Sequence, residues 1–161
     1  MGMAIFDTKA TSDAGKWLEP LDLDWETKIG CSILVMGPDS EEAAKISDEE
    51  DRFTQSRLVA SWSGGKVKPT EDEIKNEKEI RKAVRITKDW KDIEWGGVVF
   101  PYSVKNAERL YTQCPIIRAQ VISYYNNRSN FMTPGYATWK AQSGHASSST
   151  SPVEKEPSEA I

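Results

Sequence analysis

The chain is short of the residues on which most catalysis and covalent bracing depend. Its 161 residues include one histidine, His145, and two cysteines, Cys31 and Cys114. Two cysteines make neither a disulfide framework nor a zinc ribbon, so both are expected as buried or half-buried thiols in a reducing compartment. His145 stands in a Ser-rich stretch, a poor setting for a general base. No apolar run approaches the ~18 residues of a membrane span; the longest, 32–36 and 98–101, are strand-sized. Residues 1–6 lack the charged-then-apolar layout of a secretory signal, and Phe6 stands where a myristoylation signal has Ser or Thr. Positive charge is not in excess: 21 Lys and Arg against 25 Asp and Glu leave a net charge of −4, which argues against nucleic-acid binding. Gly64-Gly65-Lys66 lacks the rest of a phosphate-loop pattern. The acidic block at 48–51 lacks the glycine and final Glu of a calcium loop, and reads as a solvated face. No catalytic residue, cofactor or metal is therefore expected, and no membrane or nucleic-acid partner.

What is present is patterning. Residues 1–16 are small and polar and read as a flexible, loosely held arm, in which Ala4-Ile5-Phe6 could dock onto a partner or onto the domain. Residues 17–23 alternate in part and read as an edge strand with Pro20 at a tolerated place. Residues 29–36 are apolar and β-branched, as in a half-buried strand, with a hairpin turn at 24–28. Gly37-Pro38 breaks that strand. Asp39 or Ser40 can cap a helix, and Glu41 and Glu42 suit its dipole. This helix is expected over 40–62, with Ile46, Phe53 and Ala60 spaced by seven on one face.

Thr70 and Glu73 form a capping box for a second helix ending near Thr87, with Ile80, Val84 and Thr87 along one side. Residues 89–95 alternate large apolar and charged residues and read as a strand or an ordered loop. Ser103 caps a short helix through Ala107, Leu110 and Tyr111. Pro115 opens a last helix at a position proline favours, ending near Asn130. From 132 onward, Pro, Gly, Ser and Thr dominate and little can be buried. The expected architecture is α+β and mainly α: a small N-terminal β-hairpin, about four helices, and a disordered C-terminal tail. The divisions are an arm at 1–16, one domain over 17–131 and the tail over 132–161.

Aromatic residues are the strongest functional lead. The chain has six tryptophans, and Trp90, Trp95, Phe100 and Tyr102 cluster closely. They serve either as a core rim or as a partner-binding surface, since Trp and Tyr give contact area at low entropic cost. Charge is uneven as well. No Asp or Glu occurs between Glu108 and Glu154, whereas Arg109, Arg118, Arg128 and Lys140 do. Such asymmetry suits self-association or an acidic partner.

The order of several short strings resembles the tail assembly chaperone family of long-tailed, siphovirus-like bacteriophages. They are Ile33-Leu34-Val35-Met36-Gly37-Pro38-Asp39-Ser40 before a charged helix, and Asp89-Trp90-Lys91-Asp92-Ile93. Phe100-Pro101-Tyr102-Ser103 follows, leading into Asn106-Ala107-Glu108-Arg109-Leu110-Tyr111. The series closes with Ile116-Ile117-Arg118-Ala119-Gln120-Val121 and Asn127-Arg128-Ser129-Asn130-Phe131. The order is kept over residues 17–131. Phe100-Pro101 is reversed relative to the family's Pro-Phe, and the tail after Phe131 has no counterpart.

The resemblance implies a non-enzymatic protein of the host cell cytoplasm. It would bind the phage tape measure protein, a long amphipathic helical chain, and assist polymerisation of the tail-tube protein around it. The alternative is a structural minor tail or tail-completion protein of the virion. On either view the expected partner-binding residues are Trp90, Trp95, Tyr102, Tyr124, Tyr125 and Arg128.

Overall fold

A computed structural model describes residues 2–62 and 70–143. The expectations placed on Gly64-Gly65-Lys66, on His145 and on the Ser-rich run lie outside the described residues. Within them the chain is mainly helical, with small antiparallel sheets. In order come α1 (Lys9–Ala14), β1 (Lys16–Leu18), β2 (Ser32–Val35), α2 (Glu41–Trp62) and α3 (Glu71–Ile86). β3 (Thr87–Lys91), β4 (Glu94–Trp95), β5 (Val98–Val99), α4 (Val104–Gln113), α5 (Pro115–Asn126) and α6 (Pro134–Gln142) complete the order.

The helix starts follow local chemistry. The Thr70 side chain accepts from the Glu73 amide and the Glu73 carboxylate accepts from the Thr70 amide, so the capping box is complete. Ser103 Oγ accepts from the Asn106 amide at 3.0 Å. Pro115 opens α5, where its missing N–H costs nothing. α5 ends at Asn126 rather than near Asn130, because the Asn127 side chain accepts from the Ser129 amide and starts a 3-10 turn over Arg128–Phe131.

The N-terminal hairpin is part of something larger. β2 is the centre of a three-stranded antiparallel sheet in the order β1-β2-β3. Trp17 faces Leu34, which faces Asp89; Leu18 faces Ile33, which faces Trp90. The strand expected over 17–23 stops at Leu18. The connection to β2 is a long ordered loop closed by a Leu21–Lys28 bridge, in place of a tight turn at 24–28. Residues 89–95 divide between β3 and a second hairpin, β4–β5, turned by Gly96 and Gly97 at φ of 60° and 79°. β3 follows α3 without a break. Its third-strand role depends on pairing with a segment more than fifty residues earlier, which local periodicity does not register.

The core lies between the sheet and α3, α4 and α5. It holds Ile33 and Val35 from β2, Ala83, Val84 and Ile86 from α3, Ala107, Leu110 and Tyr111 from α4, and Val121 and Tyr125 from α5. α3 touches α2, α4 and α5. Tyr111 is fully buried, and its hydroxyl meets Thr87 Oγ1 at 2.5 Å. Thr87 Oγ1 donates to the Ala83 carbonyl, so Tyr111 is the donor of the pair. Arg118 is buried too. It donates to the Tyr111 carbonyl at 2.9 Å and to Asn76 Oδ1 at 2.7 Å, tying α5 to the end of α4 and to α3.

Both ends of the described chain are structured, in contrast to the expected flexible arm and disordered tail. Met3–Phe6 forms a 3-10 turn, α1 follows, and residues 134–142 form α6. Phe6 meets Tyr136 and Trp139 edge-on at 5.9 and 5.2 Å between ring centroids. Thr133 Oγ1 donates to the Ile5 carbonyl. Each end alone is short and polar; together they hold a partly exposed aromatic cluster of Phe6, Tyr136 and Trp139.

Gly37 is pinned between these layers. Its N–H donates to the Ser12 carbonyl at 3.0 Å. A Cβ there would lie 2.2 Å from Ser12 Oγ and 2.8 Å from Phe131 Cδ1. Phe131 is fully buried and has nowhere to go. Gly37→Ala is expected to destabilise the fold by about 1–3 kcal/mol through overpacking, measured by chemical denaturation against wild type.

Candidate protein-docking surface

α2 is long, yet among the described residues its buried apolar anchors are two, Ala43 and Ile46. Ion pairs, with the half-buried Phe53 ring under Arg81 of α3, supply more of its hold on α3. Arg57 meets Glu77 at 2.5 Å, and Arg85 meets Glu49 at 3.1 Å and Glu42 at 3.6 Å. These groups are partly exposed, and each such pair contributes about 1 kcal/mol or less. A helix seated this way on one neighbour leaves a groove on each side.

The first groove, about 420 Å³, runs between α2, α3 and α4. Its apolar members are Ile46, Phe53, Ile80, Val84 and Val104, and its rim carries both signs of charge. Val104 is 59 % exposed, so the groove's edge is open apolar surface. Phe53 is half-buried, with the Arg81 guanidinium 4.6 Å and the Arg57 guanidinium 5.4 Å from its ring centroid. The second groove, about 490 Å³, lies between α2, α3 and α5 and is lined in part by Ile74, Lys75, Lys78, Lys82 and Ile122.

The six residues singled out from sequence fall in two other places. Trp90, Trp95 and Tyr102 are brought together with Phe100. Trp90 is buried, stacks on Phe100 at 5.8 Å, meets Tyr102 edge-on at 5.2 Å, and donates its indole N–H to the Phe100 carbonyl. Tyr102 donates to the Thr87 carbonyl at 3.0 Å. Trp95 is half-buried beneath the Arg109 guanidinium, 4.8 Å from its ring. This cluster pins the β4–β5 hairpin onto the core.

Tyr124, Tyr125 and Arg128 lie elsewhere. Tyr124 meets Phe131 edge-on at 5.6 Å. Tyr125 is buried under the Lys82 ammonium, 5.2 Å from its ring. Burial raises the pKa of Tyr102, Tyr124 and Tyr125, so all three stay neutral phenols. None of the six lines either groove. The groove residues Phe53, Ile80 and Arg81 were not named as binders. Their signal was the seven-residue spacing of Ile46 and Phe53 and the Ile80–Val84 stripe.

The remaining chemistry is spare. Cys31 and Cys114 are free, half-buried thiols whose pKa burial pushes up. Among the described residues no group of three or more His, Cys, Asp or Glu is placed to hold a metal ion. No described helix is long and apolar enough to cross a membrane. No protein-family model, curated protein or solved structure matches the chain.

Arg128 reaches Asp39 through two hydrogen bonds, Nε to Oδ2 at 2.8 Å and Nη2 to Oδ1 at 3.0 Å. Thr8 Oγ1 also donates to Asp39 Oδ2. The Arg128 and Thr8 hydrogen bonds hold the Asp39 carboxyl below its ordinary range. A depressed folded-state pKa gives stability that is present above the unfolded value near 3.8 and lost as pH falls through the folded value. Asp39→Asn is therefore expected to be less stable than wild type at neutral pH, with the gap closing as pH falls through the lowered Asp39 pKa. Denaturant titrations of both proteins across the acid range measure this.

Proposed function

We propose that the chain is a bacteriophage tail assembly chaperone that seats an amphipathic helical segment of the tape measure protein in the α2–α3–α4 groove. The observation that carries this reading is the groove's apolar floor bordered by both signs of charge. Such a site suits a helix that presents apolar residues at i, i+3, i+4 and i+7 and polar residues beside them. The ordered strings over residues 17–131 support the same family.

Affinity at one groove is expected to be modest. The floor is short, and Arg57 and Arg81 must shift off Phe53 before a partner covers it. Modest affinity suits a temporary companion, because many copies along one long partner supply avidity while each remains displaceable by a growing tail tube. On this reading the protein acts in the host cell cytoplasm, on the tape measure and tail-tube proteins, with no bond made or broken. The aromatic cluster at Trp90, Trp95 and Tyr102 holds the scaffold, and Trp95 with Arg109 offers a lesser contact face.

Binding of purified tape measure segments, followed by calorimetry, tests the reading. Phe53→Ala is expected to weaken binding about tenfold or more with the fold retained. Trp95→Ala is expected to change it less. Unchanged affinity in Phe53→Ala overturns the groove assignment. Abundant copies in purified virions, measured by mass spectrometry, would assign the protein to the structural class of tail subunits.

A further inference from the structure

The loop between β1 and β2 exposes three large apolar side chains: Leu23 is 69 %, Trp25 64 % and Ile29 50 % exposed. It is firmly built. The Ile29 amide donates to the Pro20 carbonyl and the Asp22 amide to the Thr27 carbonyl. Asp24 Oδ1 accepts from the Glu26 and Thr27 amides at 2.9 and 2.8 Å. Gln120 on α5 grips the Leu21 backbone on both sides, accepting from its N–H at 2.8 Å and donating to its carbonyl at 2.7 Å.

Trp25 sits at φ 60°, a left-handed conformation that disfavours a bulky residue. A rigid loop that holds a strained tryptophan out in water adds nothing to the core. It is preorganised for contact, which lowers the ordering cost of binding. Its charges define the other side of that contact. Lys28 pairs with Glu19, which leaves Asp22, Asp24 and Glu26 around Leu23 and Trp25. The matching site is apolar with basic residues beside it.

The same chain carries such a site. The groove between α2, α3 and α5 has Ile74 and Ile122 among its apolar members, with Lys75, Lys78 and Lys82 on successive turns of α3. Lys75 and Lys78 make no ion pair among the described residues. Of the groove's acids, Glu79 leans 3.7 Å from Arg118 Nε and Glu71 sits in the first turn of α3. Glu50 and Glu71 remain against three lysines, so the unpaired charge in the groove is positive by one. At about 490 Å³ the groove has room for an indole and a leucine side chain.

We propose that Leu23 and Trp25 of one copy dock into this groove on a second copy of the chain. Gln120, which holds the loop, and Ile122, which lines the groove, are two residues apart on α5 and point to different sides of that helix. A copy therefore presents its loop away from its own groove. The contact is heterologous, so copies add head to tail until a ring closes or a chain grows. The proposal stands apart from the tail-chaperone reading and needs no phage partner.

Sedimentation of the full chain at rising concentration tests it. The average mass is expected to climb above one copy and to fall back in about 1 M salt, which screens the acid–lysine contacts. Trp25→Ala and the double variant Lys75→Glu with Lys78→Glu are each expected to stay monomeric and folded by circular dichroism. Lys78→Glu alone replaces the double variant if that unfolds. Mixed in equal amounts, the loop variant and the groove variant are expected to form 1:1 dimers and nothing larger, because one intact loop meets one intact groove. Trp25→Gly, which suits the left-handed backbone, is expected to melt no lower than wild type and still not assemble. A wild type that stays monomeric, a Trp25→Ala that assembles like wild type, or a mixture that fails to dimerise overturns the proposal.

Discussion

The face of α3 formed by Ala83, Val84 and Ile86 is where the helices and the sheet meet. α3 is mostly charged, and beyond this narrow stripe its apolar residues are Ile74 and Ile80. α4 and α5 pack on it, and β3 continues directly from its last turn. Two polar contacts make the junction specific. The Tyr111 hydroxyl reaches Thr87 at the point where helix becomes strand. Arg118 spans α5, the end of α4 and Asn76 of α3. Its Nε lies 3.7 Å from Glu79 and makes no hydrogen bond. A buried guanidinium of this kind contributes more to register than to net stability, because removing it from water is expensive.

The same narrowness explains the grooves. Beyond that stripe α3 offers α2 only Ile80 on one flank and Ile74 on the other, so α2 rests on Ala43, Ile46, the half-buried Phe53 and exposed ion pairs. Two clefts remain beside it, each with aliphatic residues and charged sides. Each cleft is concave and open, with apolar residues along it. The reading as a chaperone for a helical partner rests on that surface together with the order of the sequence strings.

The aromatic residues divide by role in a way that composition cannot separate. Trp90 lies in register with Ile33, so its ring enters the core and its indole N–H finds the Phe100 carbonyl. Trp25 sits in a loop held by Asp24 and by Gln120, almost a hundred residues later, so its ring is presented outward. Local sequence marks both simply as tryptophan beside acidic residues. The candidate grooves were legible only as stripes: Ile46 with Phe53, and Ile80 with Val84. That these stripes would form floors, while most of the conspicuous rings joined the packing, depends on how α2 sits upon α3.

Local chemistry in the sequence determined where most helices begin and what breaks them. Thr70, Ser103 and Pro115 act within one turn, through side-chain oxygens or a fixed φ, and need no distant partner. The apolar, β-branched run at 32–35 determined a strand by the same short-range logic. Tertiary structure decided the rest. β3 became the third strand because β2 offered it a ladder. The two ends of the described chain became ordered because Phe6 found Tyr136 and Trp139. Such pairings join residues far apart along the chain, and their energy exists only once the intervening segments have folded to bring them together.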